Sequence, residues 1–282
     1  MGLGLRQIED ASVWAILFWR SAGMVPVLLG FIWWNSGGRP IASVRAVGLA
    51  GVLGGLGLVV AFSGAIYAFQ TTTVANAVLL FSASPFVAAV LGRVFLHEKV
   101  RSATWAAIGL AAFGMYLMVR DGLATGALEG NLAALLSAVG FGAFTVALRW
   151  GRVADMLPAA MLGAIFATLV AGVILLVRGE PLLVSTRDMG LAAAMGAGIV
   201  ALGLVMYTIG SKVVPAAELT LLSLIEVLLA PFWVWLVVGE TVSRATLIGG
   251  AVLLTAVLLN AFASASARKA EGLAESPRPV NE

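Results

Sequence analysis

Cysteine is absent from this chain of 282 residues, histidine occurs once, and only 11% of the residues are charged. Each shortage excludes something. Without cysteine there is no disulfide framework and no thiolate to act as nucleophile or metal ligand. The one histidine, His97, stands in the context HEKVR rather than HExxH, so a zinc-protease helix is not spelled out. Soluble chains carry about 25% charged residues. A chain that is 61% hydrophobic, with a mean hydropathy of +1.04, cannot hide that apolar surface from water. The run Gly54-Gly55-Leu56-Gly57 is not a dinucleotide loop, because no strand precedes it, and Gly51 with Gly55 reads as a close-packing helix face. No enzyme activity, cofactor or metal site is expected.

Long apolar runs are what the chain has in quantity. Nine of them, at about 11–34, 46–69, 74–96, 103–119, 131–148, 158–177, 189–211, 218–238 and 246–262, suit a hydrocarbon core of roughly 30 Å. Runs of this length predict helices, since barrel strands are short and alternate. The net charge of +3 calls for no nucleic acid. With loops numbered alternately by side, eleven basic residues, Arg39, Arg93 and Arg149 among them, share a side, and five, including Arg120 and Arg244, share the other. The positive-inside rule then places the C-terminus in the cytoplasm and the N-terminus outside. Glu9 and Asp10 precede the first run, where a signal peptide would carry positive charge.

The chain also repeats itself. Ser82–Val100 aligns with Leu224–Val242 at a shift of 142 residues, placing Glu98 on Glu240 and Ser84 on Glu226. The shift carries the third span onto the eighth. Five is an odd number of spans, so consecutive copies must lie in opposite orientations, the plan of many secondary transporters. Run backwards from the fifth span, the shift lands at about −11 to 6. The first copy is therefore expected to lack its opening helix, a true nine-span protein being the alternative. The expected layout is a first repeat over 1–120, a second over 129–263 and a disordered cytoplasmic tail over 264–282.

The stretches FWRSAGMVPVLL (18–29), ANAVLLFSASPFVAAVLGRVFLHEKV (75–100), AAELTLLSLIEVLLAPFWVWLVVGETVS (216–243) and LIGGAVLLTAVLL (247–259) resemble the EamA family of the drug/metabolite transporter superfamily. The resemblance implies an all-α membrane protein of two inverted five-helix repeats, here with the first helix of repeat 1 missing. It also implies a bacterial inner-membrane exporter of amino acids or related metabolites. A small-molecule substrate and the lipid bilayer are the expected partners, and a homo-oligomer is compatible. Two rivals stand against transport: a membrane-embedded enzyme, and a structural or regulatory subunit or inactive truncated transporter.

Several residues could carry chemistry. Glu226 lies eight residues into an apolar helix, where a carboxylate could bind a substrate amine or a coupling proton, or lock helix packing. Arg20, about a third of the way into the first run, could fork a substrate carboxylate or snorkel to the outer headgroups. Tyr67 and Tyr207 come from repeat-related spans and are the preferred cavity aromatics. Ser84 is the counterpart of Glu226. Asn76 and Glu218 fall at the outset of related helices, where caps are commoner than ligands. Pro26, Pro85 and Pro231 are expected to interrupt helices, the break in the second copy lying about one turn nearer the cytoplasm.

Overall fold

The computed structural model of the chain describes residues 2–5, 7, 8, 10–210, 227, 229, 232–237, 239 and 241–274, with side chains described at all of these except 3, 122–125 and 264–274. Among the described residues there is no strand. The helices are α1 (Gly2–Leu5), α2 (Val13–Asn35), α3 (Pro40–Ala46), α4 (Gly48–Thr71), α5 (Val74–Phe81), α6 (Ser84–Phe95), α7 (Ser102–Thr125), α8 (Leu128–Trp150), α9 (Leu157–Arg178), α10 (Thr186–Ala194), α11 (Leu202–Gly210) and α12 (Arg244–Ala274). A π-helical segment, Met195–Ala201, joins α10 to α11 without a break. Counting α5 with α6, and α10 with α11 across the π-helical segment, eight spans among the described residues are long and apolar enough to cross a membrane. The expected span at about 218–238 lies largely outside the described residues.

Local chemistry sets the helix ends. Ser12, Thr73 and Ser185 cap α2, α5 and α10, each side-chain oxygen accepting from the backbone N–H three residues on. Helix α9 starts with Pro158 in its first turn and stops at Gly179, whose φ of 65° is the left-handed conformation that glycine adopts without strain. The span expected as one helix over 74–96 is divided. A turn at Ser82–Ala83 separates α5 from α6, and Pro85 sits in the first turn of α6, where its missing N–H costs nothing. Pro26 behaves differently. Helix α2 runs unbroken past it, so this proline removes one bond to the Ala22 carbonyl without ending the helix. The backbone of α12 stays helical to Ala274, past 264, where the disordered tail was expected to begin. The sequence ASARKAEGLA over 265–274 is rich in alanine and in straight-chain charged residues, which favour helix once one has started.

Packing follows the repeat. A shift of 142 places α2 on α9 and α7 on α12, and in both cases the two related helices pack directly on each other. It also places α4 on the stretch from α10 to α11. Helix α4 packs on α9, and its counterpart packs on α2, as the same operation requires. Backbone-to-backbone approach makes these contacts close. A Cβ on Gly114 would lie 2.6 Å from the Gly249 carbonyl oxygen, and one on Gly249 would lie 2.6 Å from that of Gly114. Helix α4 meets α8 in the same way, a Cβ on Gly57 falling 2.8 Å from the Gly140 oxygen and one on Gly140 falling 2.5 Å from that of Gly57. Beside this crossing the buried Ser137 hydroxyl donates to the Ala61 carbonyl at 2.6 Å. The Gly51/Gly55 face looks the other way, towards α9, with Gly55 against Gly163 and Phe166. Large apolar side chains cover the outside, Leu176 and Val177 of α9 being 81% exposed. Lipid, not water, is the solvent that fits such a surface.

Candidate functional site

Among the described residues, Arg20 is the largest of the fully buried side chains and the only buried basic one. It lies in the first half of α2, 2% exposed, with its guanidinium carbon 4.4 Å from the centroid of the Phe62 ring on α4. A charge at such depth costs about 3 kcal/mol on an insertion scale unless the protein solvates it. Stacking on an aromatic face recovers part of that cost, because the ring face is electron-rich and a flat guanidinium is weakly hydrated. The backbone of Arg20 is fixed as tightly as its side chain. Its carbonyl presses on Gly196 in the π-helical segment, where no Cβ could be accommodated, and Gly23 one turn on meets the Ala193 carbonyl in the same manner. A π-segment shifts the register of a helix locally, and here it lies where two backbones touch. Next to Arg20 the Ser21 hydroxyl is fully buried and has no hydrogen-bond partner among the described residues. Above this region Trp19 Nε1 donates to the Leu182 carbonyl at 3.0 Å, tying the loop after α9 over the start of α2.

A second polar assembly sits where α4, α5, α7, α8 and α12 end or begin. Asn76, 4% exposed, is its centre. Its Nδ2 donates to Asn131 Oδ1 at 2.9 Å, and its Oδ1 accepts from the Thr246 hydroxyl at 2.7 Å. The Thr72 hydroxyl donates to the same Asn131 oxygen at 2.9 Å, and Asn131 Nδ2 reaches the Met118 carbonyl at 3.4 Å. Thr246 is linked onward to Ser243, whose hydroxyl donates to Asp121 Oδ2 at 2.5 Å. Tyr67 belongs to the same end of the bundle: its hydroxyl donates to Glu129 Oε2 at 2.7 Å.

The expected site residues are thus distributed unequally. Arg20 lies in the bundle interior, and Asn76 and Tyr67 share one end of it. Tyr207 is 44% exposed on α11, away from the polar assembly that holds Tyr67. Ser84 is half-buried at the first position of α6. Glu226, Glu218 and Pro231 lie outside the described residues. Val227 packs against the cluster of Leu79, Leu80 and Met118. Among the described residues no group of three His, Asp or Glu side chains could hold a metal ion.

Sequence reasoning passed over Phe62, Asn131, Asp121, Ser243 and Thr246. Asn131 had a usable signal, an amide at the edge of an apolar run. The hydroxyls had none, since Thr246 and Asn76 are 170 residues apart. Glu98 was read as a marker of the repeat, and the structure gives it a partner. Arg149 donates to it at 2.8 Å and to the Ala88 carbonyl at 2.9 Å, joining α8 to α6 at the opposite end of the bundle.

Known proteins supply the remaining context. A family model described as the EamA-like transporter family matches residues 3–120 and 128–262. A solved crystal structure of a protein 20% identical in sequence superposes with a TM-score of 0.63, covering 91% of this chain and 90% of that one. At that identity the likeness is one of fold. No curated protein matches.

Proposed function

The chain belongs to the EamA-like transporter family, and we propose that it is a secondary transporter that exports small metabolites, amino acids or their relatives, across the inner membrane of a bacterium. Alternating access between the two inverted repeats would carry the solute past the bilayer midplane. The observation that supports this most is Arg20, a buried guanidinium inside a membrane bundle, stacked on Phe62 and braced by the π-helical segment. A planar fork suits the carboxylate of an amino acid, and the aromatic face keeps the fork oriented while the solute is absent. Glu226, in the second repeat, is the complementary candidate for the solute's amine or for a coupling proton.

Efflux of radiolabelled amino acids from loaded proteoliposomes tests the reading. Arg20→Gln and Glu226→Gln are each expected to lower efflux by about tenfold or more, the loss of one charge-assisted contact, while the protein still accumulates in the membrane. Arg20→Lys is expected to recover little, because a lysine ammonium keeps the charge without the planar fork. Wild-type efflux by both glutamine variants would remove these residues from the mechanism. Absence of efflux across the whole amino-acid panel by the wild-type protein would remove the substrate class.

A further inference from the structure

Helix α2 ends in an aromatic and basic corner that the proposed transport does not use. Trp33 and Trp34 lie in its last turn, two glycines turn the chain, and Arg39 caps the start of α3. The corner is rigid. Gly37 and Gly38 take φ values of 60° and 84°, which glycine adopts without strain. Gly38 N–H donates to the Trp33 carbonyl at 2.9 Å, and Arg39 N–H donates to the Ser36 hydroxyl oxygen at 3.1 Å. Val44 of α3 packs against the apolar cluster that contains Ile32 and Leu157, so α3 is held against α2, α4 and α9. Ile41 and Arg45 lie four residues apart on α3, on one face, and both are exposed.

Donors dominate the corner. Among the described residues Arg39 and Arg45 make no ion pair and no side-chain hydrogen bond, and Trp33 Nε1 has no acceptor. A Cβ on Gly38 would lie 3.4 Å from Trp33 Nε1, so the N–H edge of the indole stands beside the turn that leads to Arg39. Indole and guanidinium groups donate and do not accept. Arg45, in the last turn of α3, complements that helix end by about 0.3–1 kcal/mol at most. Arg39 stands at the other end, where a positive charge gains nothing from the helix. The loop before α9, whose Gly151 touches Ala50 of α4, carries one base, Arg152, and one acid, Asp155, whose Oδ1 accepts from Leu157 N–H. It leaves the excess of positive charge unchanged. Helix α11 also packs on α2, and residues 211–217 after it contain one lysine and no acid. Apolar surface lies alongside: Trp34 is 78% exposed, and Trp33 and Ile41 are exposed with it. Tryptophans and arginines at an interface are common in membrane proteins. What is particular here is a fixed turn that sets both around one point. A free phosphate would satisfy the donors and leave the apolar side chains bare, whereas a phospholipid satisfies both. An anionic headgroup fits better than a zwitterionic one, which brings its own cation to a corner with cations in excess.

We infer that the corner between α2 and α3 binds an anionic phospholipid, its headgroup resting among the N–H donors of Trp33, Arg39 and Arg45 and its acyl chains lying on Trp34 and Ile41. The inference needs the chain to sit in a bilayer. It needs neither the transport reading nor the assignment of sides.

The test is native mass spectrometry of the purified full-length protein, titrated in micelles with phosphatidylglycerol or with phosphatidylcholine of the same acyl chains. Phosphatidylglycerol is expected to bind about tenfold or more tightly, the margin of one charge-assisted hydrogen bond. Arg39→Gln combined with Arg45→Gln is expected to erase most of that margin. Trp33→Phe keeps a ring, removes the N–H and is expected to narrow the margin severalfold. Arg93 and Lys99, at and after the end of α6, are exposed too. Arg93→Gln combined with Lys99→Gln removes the same charge and is expected to leave the margin at its wild-type value. Glycerol 3-phosphate, which has the phosphate without the chains, is expected not to displace the lipid at millimolar concentration. Equal binding of the two lipids, or indifference to both the Arg39/Arg45 double variant and Trp33→Phe, would overturn the proposal. Equal losses in the two double variants would overturn it as well, by showing a diffuse attraction in place of a site. Displacement by glycerol 3-phosphate would make the ligand a soluble phosphate and remove the lipid.

Discussion

Asn131 shows what a single amide can do inside a membrane protein. It is fully buried, and it accepts from both Thr72 and Asn76 through one oxygen while its nitrogen reaches the Met118 carbonyl. Hydrogen bonds between membrane helices are worth about 0.6–2 kcal/mol each. Asn131→Ala removes three of them and leaves Asn76 Nδ2 without its better acceptor. We expect a loss of about 1–3 kcal/mol in stability, since partners stranded in an apolar site cost more than the bonds were worth. Reversible unfolding in mixed micelles measures it, and a change below about 0.5 kcal/mol would show that the assembly is held by packing instead. The residue also marks a limit of sequence reading. That Arg20 deserved attention was plain from its position in an apolar run. Its stacking on Phe62 was not, because the two lie on different helices and phenylalanine is ordinary in any span. Asn76 was read as a cap, yet Thr73 is the residue that caps α5, leaving the Asn76 side chain to build the network.

At the scale of the element, glycine decides how near two helices can come. The α4–α8 crossing has the Gly57 and Gly140 carbonyls where side chains would otherwise stand. Gly140→Val would drive a branched side chain into the α4 backbone near Ala61. Overpacking of this kind costs about 1–3 kcal/mol, and more where the obstacle is backbone. We expect Gly140→Val to lower the thermal midpoint of the purified protein and Gly30→Val, where a Cβ meets nothing within 4 Å, to leave it within experimental scatter. Equal effects would mean that the crossing relaxes freely. Helix existence was readable from the length of each apolar run, and eight such spans stand among the described residues. Internal irregularities were read unevenly. Pro85 announced a break, and one lies two residues before it. Pro26 announced one too, but the first apolar run continues through it, because a helix packed against α9, α10 and the π-helical segment keeps its course despite one missing bond. The π-segment was invisible, since no local breaker marks it, although Gly196 within it meets the carbonyl of a distant residue.

For the whole molecule, the 142-residue shift was the most productive observation, because it spoke of packing as well as of ancestry. Helices α7 and α12, related by that shift, touch along their lengths, as do α2 and α9. Odd-numbered repeats of this kind require opposite insertion, and the positive-inside rule gives the sides as an expectation to be tested. We expect alkaline phosphatase fused after residue 282 to stay inactive and a fluorescent protein there to fold, both in whole cells. Strong phosphatase activity would reverse the orientation and put the Asn76 assembly at the cytoplasmic face.

Helix α9 has a marked start and stop, Pro158 in its first turn and the left-handed Gly179 just past its end, which discourage it from lengthening. At 1.5 Å per residue its 22 residues measure about 33 Å. It therefore works as a ruler. A membrane much thinner than that must stretch around the protein or leave Leu176 and Val177 in the headgroups, at a cost of fractions of a kcal/mol per ångström. Reconstituted in lipids of graded acyl-chain length, the protein is expected to be most heat-resistant where the hydrocarbon thickness is close to 30 Å, and to lose that resistance steadily in shorter-chain bilayers. Chain length in the lipid would then set the stability of a protein whose own sequence is unchanged.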